Sequence, residues 1–402
     1  MKKIAIIGAG ASGIIAALKA SENNQVILID GNDKCGKKIL LTGNGRCNYW
    51  NSDISLDKYE TDNRDNLRNI LSEKNKSETL EFLGSLGIYP KIKNGYYYPY
   101  SNQAASVREI LDKEIKKRNI EVKYGNKVKE VNKQNDSFII ILENNEKIHT
   151  DKVIIATGSK AYPKTGSDGF GYDIADKFGH NINMVVPALT QLKSNEKFLR
   201  DWENVRCDAK VSLFVDGQNL KEDIGEIQLT ANGISGICVF NISGLASKNI
   251  SFGKRVEVVI NFLPHLENNF YSWINDRAEK MKDRTIEEIL ESIFNYKLMF
   301  VLLKQANIPK DKKWNELNEN NKKALCDKIE NFRLNIIDTE SFDKAQVCTG
   351  GVSLSEIDPT IFESKLVPSL YFIGEVLDVD GKCGGFNLAF AWISGYLAGR
   401  GV

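Results

Sequence analysis

Histidine is scarce in this chain: among 402 residues only His149, His180 and His265 occur. A mechanism built on a dedicated histidine acid–base group is therefore not expected, and His180, directly after Gly179 at a helix end, reads as structural. Cysteine is present seven times but scattered, odd in number and without a C-x-x-C pair. That pattern argues against a disulfide framework and against a zinc site, and no metal is expected. Charge of one sign is missing too. Fifty-four Lys and Arg stand against 53 Asp and Glu, a net charge of +1, so no global field draws the chain to nucleic acid or an anionic membrane. No run approaches the roughly 18 apolar residues of a membrane span. Lys2-Lys3 precede an apolar stretch shorter than the roughly 7–15 residues of a signal h-region. The expectation is a cytoplasmic protein acting on a small molecule, with no nucleic acid or membrane partner.

What the sequence does have is an ordinary globular composition, 42% apolar and 9% aromatic, in a chain long enough for two or three structural units. Its organising stretch is the first thirty residues. The apolar run at Lys3–Ile7 reads as a buried parallel strand and passes into Gly8-Ala9-Gly10-Ala11-Ser12-Gly13, a complete G-x-G-x-x-G. An apolar helix and a second strand, Gln25–Asp30, follow. Gly8 permits the sharp turn, Gly10 the close approach of a pyrophosphate and Gly13 the packing of helix on sheet. The helix start offers free N–H groups and a positive dipole end. Asp30 ends the second strand, where a carboxylate accepts from an adenosine ribose. In that order the parts specify a dinucleotide site.

Two glycine-containing basic loops come next, one holding Gly31 and Lys38, the other Thr42-Gly43-Asn44-Gly45-Arg46-Cys47-Asn48. Exposed backbone N–H groups beside cations suit a pyrophosphate or ring system; a solvated surface loop is the alternative. Residues 63–120 read mostly as helix, interrupted by an aromatic loop with Tyr96, Tyr97, Tyr98 and Tyr100, suited to a flat substrate or to packing. Residues 120–148 are β-rich. Lys152–Ile155 is another buried strand, ending on Ala156-Thr157-Gly158, a turn small enough for a cofactor at the sheet's carboxyl edge.

From about residue 187 antiparallel strands take over, then charged amphipathic helices across 268–335. The α/β pattern returns with a strand at 370–373, then Gly374-Glu375, Asp380, and Gly384-Gly385-Phe386-Asn387 opening a helix. A second helix start after a glycine loop favours negative charge of the kind a reduced flavin develops at N1 and O2; phosphate binding and plain capping are the other readings. Cys47 and Cys383 sit in these loops without a local partner thiol or histidine, which favours packing over redox chemistry.

Together, the opening glycines, residues 42–48, Ala156-Thr157-Gly158, Thr349-Gly350-Gly351-Val352 and residues 374–381 resemble one bacterial family over nearly the whole chain. It is the FAD-binding oxidoreductases of the aminoacetone oxidase-like or 3-dehydro-bile-acid reductase-like kind. The resemblance implies an α/β fold with a Rossmann-like FAD domain of the two-dinucleotide-binding type. That domain would be split between residues 1–187 and 346–402, with an inserted β-barrel-like domain at 188–265 and a helical one at 266–345. It also implies Gly8, Ala9, Gly10, Ala11, Ser12 and Gly13 at the pyrophosphate and Asp30, with neighbouring Gly31, at the ribose. Lys38, Thr42, Gly43, Asn44, Arg46, Cys47 and Asn48 would line the cofactor, and Val128 would meet the adenine through its backbone. Ala156, Thr157 and Gly158 would lie beneath it, Gly374, Glu375 and Asp380 along its ribityl side, and Gly385, Phe386 and Asn387 at the isoalloxazine. Asp30 replaces the Glu common in FAD proteins, one methylene shorter but still an acceptor.

The implied activity is an FAD-dependent oxidoreductase reduced by NADH or NADPH. It would pass hydride to an organic acceptor such as an enone of a hydrophobic, steroid-like ring. An amine oxidase using oxygen and a flavin-dependent tRNA-modifying protein are the alternatives, followed by a non-catalytic cofactor-binding regulator. No separate nicotinamide domain is visible, so that donor is expected to visit transiently. Tyr96, Tyr97 and Tyr98 are the candidates for substrate contact, and no residue is assigned as catalytic acid or base.

Overall fold

Four of the five residues in the first strand are fully buried, which is why it lies at the centre of a sheet. In the computed structural model, which describes residues 1–267 and 269–402, five strands form one parallel sheet. They are β1 (Lys3–Ile7), β2 (Gln25–Asp30), β3 (Glu121–Tyr124), β4 (Lys152–Ile155) and β5 (Leu370–Phe372), in the order β5-β4-β1-β2-β3. Ile6 pairs with Leu28 on one side and Ile154 on the other, and Asp30 pairs with Tyr124 at the ends of their strands. Helix α1 (Ala11–Ala20) connects β1 to β2, and α2 (Phe386–Gly401) follows β5.

The described residues divide into two compact units, Met1–Val186 with Phe342–Val402, and Pro187–Ser341. Within the first, Val128–Gln134, Ser137–Leu142 and Lys147–Thr150 make an antiparallel sheet. Its middle strand alternates, burying Phe138, Ile140 and Leu142. Residues 63–120 hold the expected helices, Arg64–Ile70, Glu73–Ser85 and Ala104–Lys117. The aromatic stretch between them is not a loop. Tyr96–Pro99 is the middle strand of a three-stranded sheet with Pro90–Lys93 and Trp50–Asn51.

The second unit carries a seven-stranded sheet whose pairs are antiparallel. Two features differ from the sequence reading. Ile237–Ser251 is a helix set among the strands, and Phe332–Ile336, placed above in the helical block, is a strand beside Val256–Asn261. Strands and helices share one hydrophobic cluster that includes Trp202, Ile242, Ile260, Leu302 and Phe332. Sharing a core, they form a single unit and not the two domains drawn at 188–265 and 266–345. Among the described residues no helix is long and apolar enough to cross a membrane.

Candidate cofactor site

The G-x-G-x-x-G turn is fixed by close contacts. Gly8 has φ +107°, and a Cβ there would lie 2.3 Å from the Ala156 carbonyl oxygen; one at Gly13 would lie 1.9 Å from that of Gly8. Gly10 is the opposite case. A Cβ at Gly10 meets nothing within 4 Å, so space opens in front of the α1 start, which no side chain caps. The orphan N–H groups of a helix's first turn face that opening.

Asp30 is held at the end of β2. Its Oδ2 accepts from Ala9 N–H at 2.6 Å, and its Oδ1 accepts from the Asn32 backbone at 2.7 Å and the Asn32 amide at 2.9 Å. The carboxylate thus ties the glycine turn to the following loop. Gly31 packs against Lys127, and Asn126 N–H donates to the Asp30 carbonyl at 3.2 Å. That contact brings Val128, at the start of the next strand, to the Asp30 end of the sheet.

The second helix start is positioned by the first. A Cβ at Gly395 would sit 2.3 Å from Ser12 O, and one at Gly399 would sit 2.6 Å from Ala16 O. Contacts advancing together, 395 with 12 and 399 with 16, require α1 and α2 to run parallel with backbones touching. At 1.5 Å per residue, Phe386 then projects about 12 Å beyond the start of α1. Gly385 enters α2 with φ +93° and no side-chain cap. The Asn387 amide is bonded to both backbone groups of Gly381, at 2.8 and 2.7 Å, and the Tyr59 hydroxyl donates to Phe386 O at 3.0 Å.

Beside the start of α1, where Gly374 meets Ser12, stands an ion pair. Lys38 Nζ lies 2.7 Å from Glu375 Oε2, and the Ser159 hydroxyl donates to Glu375 Oε1 at 2.8 Å. Gly374 N–H donates to the buried Ser394 hydroxyl at 3.0 Å, which seats the residue before Glu375 on α2. Ala156, Thr157 and Gly158 follow β4 directly, with Ala156 against Gly8 and Thr157 against Gly171. Asp380 is buried and accepts from the Thr349 hydroxyl at 2.6 Å.

In the 42–48 loop, Gly43, Asn44, Gly45 and Cys47 all have positive φ. The chain is wound left-handed there, and the Cys47 N–H closes it onto Thr42 O at 3.0 Å. The Asn48 amide, turned with its nitrogen toward two carbonyls, donates to Trp50 O at 3.1 Å and Tyr97 O at 3.2 Å. Two parallel uncapped helix starts, staggered along one line, with open space at the first and a carboxylate at the strand end, fit a long dinucleotide carrying a ring system at its far end.

Residues 2–401 match the family described as HI0933-like protein Rossmann domain. The chain belongs to this family. A 3-dehydro-bile acid delta(4,6)-reductase of Clostridium scindens is 41% identical over 100% of this chain and 98% of its own. A ribosomal RNA dihydrouridine synthase of Escherichia coli is 29% identical over 97% of this chain and 95% of its own. Among solved structures, the open conformation of a flavocytochrome c3 fumarate reductase shares the fold. Its TM-score is 0.50 at 15% identity, covering 99% of this chain and 77% of that one. The chain is an FAD-dependent oxidoreductase.

For a family member of this kind the side chains divide as follows. Cys47 is fully buried, and burial pushes its thiol up to about 12, so it is neither an accessible nor an ionised redox group; its backbone is what the loop presents. Cys383 is half-buried. His180 is buried, with Nδ1 2.9 Å from Glu356 Oε2 and Nε2 2.8 Å from Ser364 Oγ, and is structural. Ser159, Tyr59 and Asn51 are part of the site's frame and were not read from the sequence. The first two bond to partners 216 and 327 positions away, a relation no local pattern carries.

Proposed function

We propose that this chain reduces a carbon–carbon double bond conjugated to a carbonyl in a hydrophobic, steroid- or bile-acid-like ring compound, with NADH or NADPH as the electron source. The observation that carries the reading is the parallel, staggered pair of helix starts. The relatives' names give its direction. A delta(4,6)-reductase and a dihydrouridine synthase both saturate a double bond conjugated to a carbonyl.

In this reading the first turn of α1 and its glycines take the pyrophosphate, with Ala9, Ala11 and Ser12 contributing backbone. Asp30 takes the adenosine ribose, while Gly31 and Val128 flank the adenine. Lys38 and Glu375 hold the ribityl side. Residues 42–48 and the backbone of Gly385, Phe386 and Asn387 receive the ring system. When bound, FAD supplies the two-electron chemistry, taking hydride from a donor and yielding it to an acceptor. The start of α2 stabilises the negative charge of the reduced state. Cys35, Cys47, Cys207, Cys238, Cys326 and Cys348 form no disulfide, which suits a cytoplasmic setting.

The test is an anaerobic visible spectrum of the FAD-loaded protein, before and after NADH or NADPH, followed by a 3-oxo-Δ4 steroid. Bleaching by a nicotinamide and recovery with the steroid is the expected result. Bleaching by an amine and recovery with oxygen would replace the reading with the oxidase. A second reading, reduction of a pyrimidine in RNA, has the Escherichia coli relative behind it. It predicts RNA affinity that falls steeply with salt, and the chain's net charge of +1 lends it no support.

A further inference from the structure

The small sheet of Trp50–Asn51, Tyr96–Pro99 and Pro90–Lys93 has two faces with different contents. Directly paired residues of an antiparallel ladder share a face. Tyr97 pairs with Trp50 and Ile92, and its ring meets the buried Tyr49 edge-on at 6.2 Å, so this is the inner face at Tyr97. Tyr96 pairs with Lys93, and Tyr98 with Lys91, on the other face. Arg46 joins them there from the 42–48 loop, with its guanidinium 5.2 Å from the Tyr98 ring centroid. Further out, Lys91 Nζ lies 5.9 Å from the Tyr100 centroid, and Tyr100 packs on Tyr89 at 5.8 Å. Tyr89 and Tyr100 are 72% and 64% exposed.

The near end of this face touches the loop that enters α2. Asn51 donates its amide to Gly384 O at 2.9 Å, and the Tyr96 ring lies 3.0 Å from where a Gly384 Cβ would stand. From there tyrosines 96, 98 and 100 step outward about 7 Å at a time, the two-residue repeat of a strand. Exposed cations lie between them. Some exposed cations among the described residues meet carboxylates, as Lys116 meets Asp112 and Lys304 meets Asp201, and others, such as Lys113 and Lys129, do not. Among the described residues Arg46, Lys91 and Lys93 have no carboxylate within ion-pair distance, and the only hydrogen bond of the Arg46 guanidinium to the protein is from Nε to Gly43 O at 3.1 Å.

We infer that this face binds the anionic end of the small-molecule substrate, a carboxylate carried on a flat apolar ring body. The inference rests on the reading of the reaction given above. The tyrosine faces supply a surface for the rings, and the three unmatched cations supply the counter-charge. Tyr96 to Tyr100 spans about 13 Å, the scale of one fused-ring acid. That is short for single-stranded RNA, whose sequence-neutral sites run to about 4–16 nucleotides.

The test uses the FAD-loaded enzyme and two probes, 3-oxo-4-cholenoate and its methyl ester, with binding read by calorimetry and reduction by steady-state kinetics. The acid binds more tightly than the ester, and added salt weakens only the acid. The double variant Lys91→Gln/Lys93→Gln, outside the residues assigned to FAD, weakens acid binding about tenfold and leaves the ester within about twofold. Equal binding of acid and ester, equal loss of both, or binding of neither overturns the inference. So does a loss that appears in the KM for NADH or NADPH, which would assign the cations to the reductant's phosphates. An RNA oligonucleotide that displaces the acid also counts against it. If the acid binds as expected and is not reduced, the anion site stands and the proposed reaction falls. If acid and ester are reduced with equal KM, the reverse holds.

Discussion

Gly8 and Gly10 stand two positions apart, yet a methyl group has opposite consequences at each. At Gly8 it collides with a backbone carbonyl and needs a left-handed conformation, so Gly8→Ala should cost well over about 1 kcal/mol and abolish flavin retention. At Gly10 it meets no protein atom. Gly10→Ala should therefore leave the apoprotein's Tm unchanged or slightly raised while weakening FAD binding, because the methyl group occupies the space in front of the helix. Thermal melts of the apoproteins and flavin-to-protein ratios separate the two effects. A flavin-replete Gly10→Ala protein would remove the pyrophosphate from that opening. His180 supplies the pH-sensitive case. Burial holds its imidazole below the ordinary value of 6.5, against the opposing pull of Glu356. The unfolded chain therefore takes up its proton first as pH falls. Stability is complete above about 6.5 and declines below it, and His180→Gln should flatten that decline in urea melts between pH 7 and 5. The glycines and Asp30 were legible from the sequence because their spacing along the chain is the motif. Ser159, Tyr59 and Asn51 were not, because each acts on a residue far away in the chain.

At the scale of elements, the parallel pairing of α1 with α2 aligns the two helix starts. It depends on bare backbone at Gly395 and Gly399. Gly395→Leu would drive a side chain into Ser12 O and force the helices apart. The expected result is a destabilisation of a few kcal/mol in urea unfolding, with loss of bound FAD. Unchanged stability would mean that the helices can separate without cost. Both helices were readable as helices, since each follows a glycine loop and is apolar along most of its length. Their pairing was not readable, since contact between elements at opposite ends of the chain leaves no local trace. The tyrosine stretch was misread for a related reason. Tyr96-Tyr97-Tyr98 lacks an apolar–polar alternation, because tyrosine is acceptable on both faces of a strand. Ile237–Ser251 escaped notice beside a glycine-rich turn, with Asn241, Ser243, Ser247 and Asn249 breaking its apolar stripe; Ser243, Ser247 and Asn249 are nevertheless buried. Phe332–Ile336 alternates cleanly between buried and exposed, but it is five residues long and directly follows a helix of the charged block.

At the scale of the whole molecule, the split first unit was legible because the α/β pattern stops near 187 and resumes near 346. The joining of strands and helices into one inserted unit was not, since a shared core is a property of contacts and not of order. That core predicts that Pro187–Ser341, expressed alone, unfolds cooperatively and carries no flavin. A gradual melt, or a yellow protein, would contradict this. Synthesis order follows from the pairing of α1 with α2. The ribosome makes α1 first and α2 only after the whole of Pro187–Ser341. Throughout that interval the α1 face that meets Gly395 and Gly399 has no partner, and the glycine turn has no second helix start to complete the site. The inserted unit, contiguous in sequence, is free to fold during translation, while the flavin unit must wait for its far end. Capture of FAD then follows synthesis of α2, and free flavin at that stage, not while the inserted unit is being made, sets the yield of active protein.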